Sequence, residues 1–509
     1  MESINQTTKS RKWLPSTSEA RLLLIASTGF FIDAYDLFTI NLVVPILNIR
    51  YNNQVGSSLQ NAVLVGGLLK AGANIGCIVG QILFGALGDI YGRKKIYPTS
   101  LAVTIIGTIL TIAAPDSLGS SGVFAWITFT RILMGIGIGG DYPMSGSVVS
   151  DRANNDRRGM LLAFTFAMQG WGNFVGAIVS MIVLSVFKSS IEGGNLSNFD
   201  AVWRIILGFI LIPSIATMYQ RLKLPESDRM TEVLRKRKEN KSLEGSKSTE
   251  ALSESKELDN PHKLPEGFSK AEKNSAKKEY SSFTEFREYF SEWRHLKHLI
   301  GTTACWFFVD ISFYGIALNQ STVVSAIINK TINEPWQSAF DNTKANLIIT
   351  IAGFLPGYYF TMFFIEYLGR KKIQAGGFLL EAILLAVIAA DHSSLSHKPA
   401  GFIVCFALLQ FFFNFGANAT TFIYASELYP TRVRSLASGF SAAGGKLGAV
   451  LSALGFSQIA NDYGTPTVLW ILVGTSICGL AFTFMLPETK GYDADAIDEQ
   501  ERAEKIRQN

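Results

Sequence analysis

Residues 85–94 read GALGDIYGRK, and residues 366–372 repeat the end of this stretch as EYLGRKK. Each copy follows one apolar run and precedes another. Outward from the two copies, the chain contains further apolar runs of about 20 residues, the length that crosses a ~30 Å hydrocarbon core as a helix. Six runs lie in the first part of the chain and six in the second, at 22–46, 62–88, 96–114, 123–149, 160–186 and 201–222, and at 299–328, 346–368, 374–391, 400–425, 436–460 and 467–486.

A second repeated segment ends each set of runs, as LPES at 224–227 and LPET at 486–489. Two related sets of six runs predict two six-helix halves that are related by an axis along the membrane normal. The predicted fold class is therefore an all-α membrane protein with 12 transmembrane helices in two halves. In this architecture, a substrate site is expected at the interface between the halves.

Composition supports a membrane protein and excludes other classes. Of the 509 residues, 48% are hydrophobic, 36 are Phe and only 17% are charged, whereas soluble domains carry roughly 25% charge. A soluble enzyme and a nucleic-acid-binding protein are excluded, and so is a transmembrane barrel, whose strands alternate polar and apolar residues. The four cysteines lie in apolar runs and the five histidines in or beside loops, so we expect no metal site.

Composition also divides the chain into five parts: a tail at 1–21, a six-helix bundle at 22–222, a charged linker at 223–298, a second bundle at 299–486 and a tail at 487–509. The linker carries charges of both signs and few aromatic residues over 226–279, so we expect it to be mostly disordered there. Its end, 280–298, predicts an amphipathic helix. Basic residues cluster in the loops after spans 2, 4, 8 and 10, which predicts that these loops, the linker and both termini are cytoplasmic.

Ionisable residues inside the predicted spans are functional candidates, because each costs at least ~2.5–3.5 kcal/mol to place at mid-membrane. The candidates are Asp33, Asp36, Lys70, Arg131, Asp141, Asp310 and Lys446. For three of them, a structural role in a helix-packing ion pair or in snorkelling fits as well as a functional role; these are Asp36, Arg131 and Lys70. At the cytoplasmic edge, Asp89 and Arg93 predict a gating or structural ion pair, not a substrate contact.

The buried acids and the lysine together indicate proton-coupled transport of an anion. A carboxyl group without water around it is disfavoured as an anion, so it can take up a proton near neutral pH and release it on the other side. A buried lysine offsets the acid charge or holds an anion. Polar side chains on the predicted inner helix faces suit the oxygens of a phosphate group; they are Tyr142, Gln169, Trp306, Asp310, Tyr314, Asn414 and Asn418.

The stretch 85–94 resembles the loop signature of the major facilitator superfamily. Three segments are similar to the fungal and plant phosphate:H+ symporters within it, namely GIGGDYP at 137–143, WFFVDISFYG at 306–315 and FNFG at 413–416. The resemblance implies that phosphate is held by Tyr142, Gln169, Trp306, Asp310, Tyr314 and either Asn414 or Asn418. It also implies that Asp33 or Asp36, together with Asp141, moves protons, and that Lys446 takes part in binding or coupling.

The predicted function is proton-coupled import of a phosphate-bearing anion across the plasma membrane by alternating access, driven by the proton gradient without a cofactor. Ala417 and Ala425 stand where symporters for inorganic phosphate resembling this chain carry prolines. A glycerophosphodiester such as glycerophosphocholine is therefore the first alternative substrate. More distant alternatives are a sugar:H+ symporter and a nutrient sensor that signals through regulatory partners of the linker. The sequence has no Walker motif for ATP hydrolysis and no Ser/His/Asp constellation, so no enzyme is predicted.

Overall fold

The structure, a computed structural model, describes residues 17–51, 59–239, 282–320, 334–396 and 399–508, and within these ranges it contains helices and no strand. The long helices of the first half are α1 (Thr17–Tyr51), α2 (Leu59–Tyr91), α3 (Arg93–Ile112), α4 (Gly119–Arg152), α5 (Arg158–Val186), α6 (Phe199–Gly208) and α7 (Leu211–Leu222). Helices α6 and α7 together make the sixth crossing. Shorter elements are Lys188–Glu192 and the 3-10 turns Asp116–Leu118 and Leu196–Asn198.

Two helices connect the halves, α8 at 228–239 and α9 at Ser282–Tyr289. The second half contains α10 (Trp293–Ala317), α11 (Pro335–Ile349), α12 (Leu355–Leu368), α13 (Arg370–Ala390), α14 (Pro399–Asn414), α15 (Ala417–Glu427), α16 (Arg434–Tyr463) and α17 (Thr465–Thr483), and the terminal helix is α18 (Ala494–Gln508). A π-helical turn, Thr350–Phe354, joins α11 to α12 as one crossing, and a short helix, His392–Ser396, precedes α14.

The predicted all-α membrane fold with two six-helix halves is confirmed. Eleven helical segments of the described chain are long and apolar enough to cross a membrane. Helix α16 supplies the twelfth crossing: its 30 residues span about 45 Å, but Lys446 and many Gly, Ala and Ser residues lower its hydropathy. The span predicted at 299–328 differs, because the helix begins at Trp293 and ends at Ala317. Its first turns carry basic residues that a search for apolar runs leaves out.

The tenth crossing is broken beside the predicted site, as α14 ends at Asn414 and α15 begins at Ala417. No proline lies at the break. Gly416 is extended, with φ −170° and ψ −134°, and a Cβ atom there would lie 2.6 Å from the Cα atom of Gly377 on α13. The break thus lies where α13 approaches closely, although Ala417 stands at its C-terminal side and not a proline.

Part of the predicted disordered linker is helical. Arg237 on α8 lies 2.6 Å from the Glu285 carboxylate on α9 and donates to the main-chain carbonyl of Arg432 at 3.2 Å. Ion pairing thus holds α8 in place, although its few apolar residues would not be sufficient for it to fold alone. Residues 240–281 lie outside the described residues, and the five-part division of the chain stays a prediction.

The halves contact each other along two seams, α2 against α16 and α5 against α12. Small residues allow the first seam to be tight. A Cβ atom at Gly85 would lie 2.7 Å from the main-chain oxygen of Ser435, and one at Gly67 would lie 3.0 Å from that of Ala453. The two seams enclose the inner faces of the bundles, where the candidate residues lie.

Candidate functional site

Lys446 lies at the centre of the interface, on α16, and faces α10. Its ammonium donates to the Tyr314 hydroxyl at 2.7 Å and lies 3.2 Å from the Asp310 carboxylate. It also lies 4.9 Å from the ring centre of Tyr142, which belongs to the other half. The four-residue spacing of Trp306, Asp310 and Tyr314 puts all three on one face of α10. All five side chains are buried, so one cation is enclosed with one carboxylate and three aromatic residues.

A chain of neutral hydrogen bonds runs from this cluster across the interface. The Gln169 amide donates to the Tyr142 hydroxyl at 3.0 Å and accepts from the Tyr358 hydroxyl at 3.3 Å. Asn418 then donates to Tyr358 at 2.9 Å and lies 2.8 Å from the Asn414 side-chain oxygen. The structure therefore brings together every predicted substrate-binding residue, with Asn418 as the member of the asparagine pair that contacts the tyrosine.

Tyr358 on α12 belongs to this chain of hydrogen bonds, and sequence reasoning missed it. It lies in a run of aromatic residues, 358–360, where aromatic side chains are ordinary packing. Its one distinguishing signal is helical register: it lies on the face of α12 that contacts α5.

Asp141 on α4 forms an ion pair that the sequence did not predict. Its carboxylate accepts from both terminal nitrogens of Arg221 on α7, one of them at 2.7 Å, and from the Ser100 hydroxyl at 2.9 Å. A Cβ atom at Gly29 would lie 2.6 Å from Asp141 Oδ2, so glycine leaves room for the pair. Arg221 escaped notice because arginine is common at the end of a span.

Asp33 and Asp36 on α1 are buried, and Oδ2 of each has no hydrogen-bond partner among the described residues. Asp33 lies one helical turn after Gly29, which packs against the ion pair of Asp141 and Arg221. Arg131 does not bond the Asp36 carboxylate; it donates to the main-chain oxygens of Leu69 and Asp36, each at 3.2 Å.

The pair Asp89 and Arg93 takes part in a larger contact that joins the halves. Arg93 lies 3.6 Å from Asp89 but is closer to Asp151, which also pairs with Arg434 at the start of α16. The Asp89 carboxylate accepts from the main-chain nitrogens of residues 435 and 436, at 3.2 and 2.8 Å, where a helix N-terminus favours negative charge. We call this region, defined by Arg93, Asp151 and Arg434, the Arg93 end.

Two further buried ionisable residues lie apart from the central cluster. Lys70 on α2 donates to the Asn319 side chain at 3.0 Å. Glu381 on α13 has no hydrogen-bond partner for either carboxyl oxygen in the described part of the chain, and sequence reasoning missed it. Within the same ranges, no group of three or more His, Cys, Asp or Glu residues is placed to hold a metal ion.

The known proteins that are similar to this chain are named as transporters. A family model described as sugar (and other) transporter matches residues 22–500. A Schizosaccharomyces pombe protein named "Putative inorganic phosphate transporter C1683.01" is 39% identical over 98% of this chain and 92% of its own length. The Saccharomyces cerevisiae inorganic phosphate transporter PHO84 is 33% identical over 94% of this chain and 84% of its own.

Solved structures with the same fold include the proton:xylose symporter XylE bound to 6-bromo-6-deoxy-D-glucose. It matches with a TM-score of 0.71 over 95% of this chain and 98% of its own, at 19% identity. At that identity the match concerns the arrangement of the helices alone.

Proposed function

The chain belongs to the sugar (and other) transporter family of the major facilitator superfamily, and from this premise we propose that it is a proton-coupled symporter for a phosphate-bearing anion. The protein is a multi-pass membrane transporter and not an enzyme. The proposal places it in the plasma membrane with the Arg93 end, the linker and both termini in the cytoplasm. It needs no cofactor, because the proton gradient supplies the driving force.

The observation that carries the proposal is the enclosed ammonium of Lys446, with Asp310 as its counter-ion. An anion that enters gains a charge-assisted contact with Lys446, which is roughly twice as strong as a neutral hydrogen bond. Tyr142, Gln169, Trp306 and Asn418 supply neutral donors for the remaining oxygens. A carboxylate at Asp310 suits a phosphate that still carries a proton, because the phosphate hydroxyl can donate to it.

Asp33, Asp36, Asp141 and Asp310 are the candidates for the transported proton, and the surroundings of Asp141 and Asp33 differ most. Asp141 is held by two guanidinium contacts, so its protonation requires release from Arg221. Oδ2 of Asp33 is buried and has no hydrogen-bond partner among the described residues. Asp33 acts as the proton acceptor in this proposal, with Asp36 beside it and Asp141 as the acid that responds through Arg221. The charge of the proton on Asp33 and the charge of the bound anion cancel at the interface, and this allows the two halves to rock. The low proton activity in the cytoplasm then favours release of the proton and of the anion.

The relatives named as inorganic phosphate transporters support phosphate as the substrate. A glycerophosphodiester is the second candidate, because Ala417 and Ala425 leave α15 without prolines, and the break at Gly416 opens the backbone beside Asn418. The same Lys446 and tyrosines could hold a diester phosphate. A neutral sugar does not explain a buried lysine paired with Asp310, and a signalling role through the linker is compatible with either anion.

The test is uptake in cells that lack their own phosphate and glycerophosphodiester carriers. Labelled phosphate and labelled glycerophosphocholine are compared at pH 5 and 7.5, with and without a protonophore. We expect phosphate uptake that is faster at pH 5 and is abolished by the protonophore. Diester uptake that phosphate barely inhibits would assign the diester instead, and uptake of neither compound would overturn the proposal.

A further inference from the structure

Lys70 lies on α2 of the first half, close to the end of α10 of the second half. Its ammonium donates to the Asn319 side chain at 3.0 Å, and Ser457 on α16 donates to the same oxygen at 3.2 Å. Nearby, Asn41 on α1 donates to the main-chain oxygen of Ala317 at 2.9 Å. Helices from both halves therefore converge on residues 317–320, a region we call the Lys70 end.

The ammonium of Lys70 is buried, with 8% of the residue exposed, and it forms no ion pair with any of the described residues. Its hydrogen-bond partner in the described part of the chain is the Asn319 side-chain oxygen. A buried cation without an anion is costly. Lys446, Arg93 and Arg434, which are also buried at the interface, differ because each contacts a carboxylate.

The position of Lys70 relates it to the central cluster. Helix α16 begins at Arg434 at the Arg93 end, passes Lys446 and reaches Ser457 about 16 Å further on. Asn319 follows the end of α10 and lies roughly 8 Å beyond Tyr314. Lys70 itself is about 30 Å from the Arg93 end along α2. It thus lies on the path between the central cluster and the end of the bundle that is opposite the Arg93 end.

We propose that Lys70 is a docking residue for the transported anion, which it meets at the Lys70 end before the anion reaches Lys446. The proposal rests on the proposed function, because it requires a phosphate-bearing substrate. Opening of this end separates α2 from α10 and breaks the contact between Lys70 and Asn319. The freed ammonium then faces the opening, where positive charge raises the local concentration of anions and their rate of entry.

In this proposal, Asn319 holds Lys70 only while the Lys70 end is closed. Two substitutions with opposite expected effects on KM therefore test the proposal. Lys70→Met removes the charge and keeps the length of the side chain, so KM for uptake is expected to rise about fivefold with little change in the maximal rate per molecule at the surface. Asn319→Ala releases the ammonium, so KM is expected to stay unchanged or to fall. Lys70→Arg keeps the charge and should restore KM, and Ser457→Ala is the control for loss of a hydrogen bond to Asn319.

A second readout separates docking from a structural role. Raising ionic strength screens an exposed charge, so KM of the wild-type protein should rise with salt, whereas that of Lys70→Met should change much less. If Lys70 only fastened the halves together, Lys70→Met and Asn319→Ala would shift KM in the same direction. If the wild-type protein transports and Lys70→Met has the same KM, the docking proposal is overturned and the proposed function is not. If the wild-type protein takes up neither phosphate nor glycerophosphocholine, the proposed function itself is overturned.

Discussion

At the scale of single residues, Lys446 is the group on which anion binding should depend most. Hydrogen bonds to charged groups contribute about 1.5–3 kcal/mol, which corresponds to roughly a 10- to 100-fold change in affinity. Lys446→Ala is therefore expected to raise KM for the anion at least tenfold, measured as concentration-dependent uptake. Lys446→Arg, which keeps the charge, is the matched control, and unaltered kinetics in Lys446→Ala would make the lysine structural.

Asp33 and Asp141 should respond differently to the same change. Asp33→Asn removes a carboxyl group whose Oδ2 has no partner in the part of the chain that the structure describes, so the variant should fold normally and lose the stimulation of uptake at pH 5 relative to pH 7.5. Asp141→Asn leaves Arg221 buried without its counter-ion, which costs about 3–5 kcal/mol. We expect a lower melting temperature of the purified Asp141→Asn protein, and the double variant with Arg221→Gln should recover part of the loss.

Equal stability of Asp33→Asn and Asp141→Asn would contradict the ion pair with Arg221. Preserved pH stimulation in Asp33→Asn would move the proton-accepting role to another acid. Asp36, whose Oδ2 also lacks a partner within the described ranges, is the next to be tested by the same substitution.

The predictable site residues are those whose side chains are anomalous in an apolar run. Asp310 and Lys446 interrupt hydrophobic spans, and the spacing of Asp310 and Tyr314 places them on one face. Arg221 and Tyr358 could not be found in this way, because arginine at the end of a span and tyrosine inside one are both ordinary. Their roles depend on which helices pack together, and one sequence does not contain that information.

At the scale of helices, α18 fastens the Arg93 end. Asp495 accepts from the main-chain nitrogen of Thr431 at 2.6 Å and pairs with Arg229 on α8 at 2.9 Å. Just before the helix, Asp493 accepts from Asn155 of the first half at 2.9 Å. The polar composition of this segment predicted a tail, and its helix and its contacts could not be predicted because they depend on groups far apart in the chain.

Loss of the Asp495 charge should loosen this end. Losing charge-assisted hydrogen bonds of about 2 kcal/mol in total changes the ratio of closed to open states roughly 30-fold. In Asp495→Asn, a cysteine introduced at Asn155 should therefore react faster with a membrane-impermeant thiol reagent applied to that side. Glu504→Gln, an exposed change on the same helix, is the control, and equal labelling of the two variants would exclude a fastening role for Asp495.

The pH dependence of the α18 contacts can be separated from that of transport. Arg434 and the hydrogen bonds from Thr431 lower the pKa of Asp495 to about 2, although burial opposes them. A carboxyl group with a lowered pKa contributes stability above its unfolded value and loses it as the pH falls towards 2. Asp495 is thus ionised throughout pH 5–7.5, and Asp495→Asn should leave the ratio of uptake at these two pH values unchanged.

At the scale of the whole molecule, the structure holds the halves together at both ends. Lys70 and Asn41 contact the end of α10, while Asp151 joins Arg93 and Arg434 at the other end. The internal repeat predicted two halves with a site between them, but not whether either end is closed. Closure depends on weak contacts that differ by a few kcal/mol between states. In alternating access, each set of contacts has to break in turn while the other holds.

Asp151 is the point at which this balance is most sensitive, because one buried carboxylate neutralises two guanidinium groups from different halves. Asp151→Asn removes the carboxylate between Arg93 and Arg434 and leaves them with more distant partners, Asp89 at 3.6 Å and Asp495 at 3.4 Å, so the Arg93 end should open and stay open. Uptake is expected to fall at least tenfold in surface-normalised assays, because the carrier no longer returns to the state that accepts substrate from the opposite side. Asp156→Asn, an exposed change in the loop that follows α4, is the matched control. Uptake in Asp151→Asn equal to that of the control would show that the cycle does not depend on closing this end through its charges.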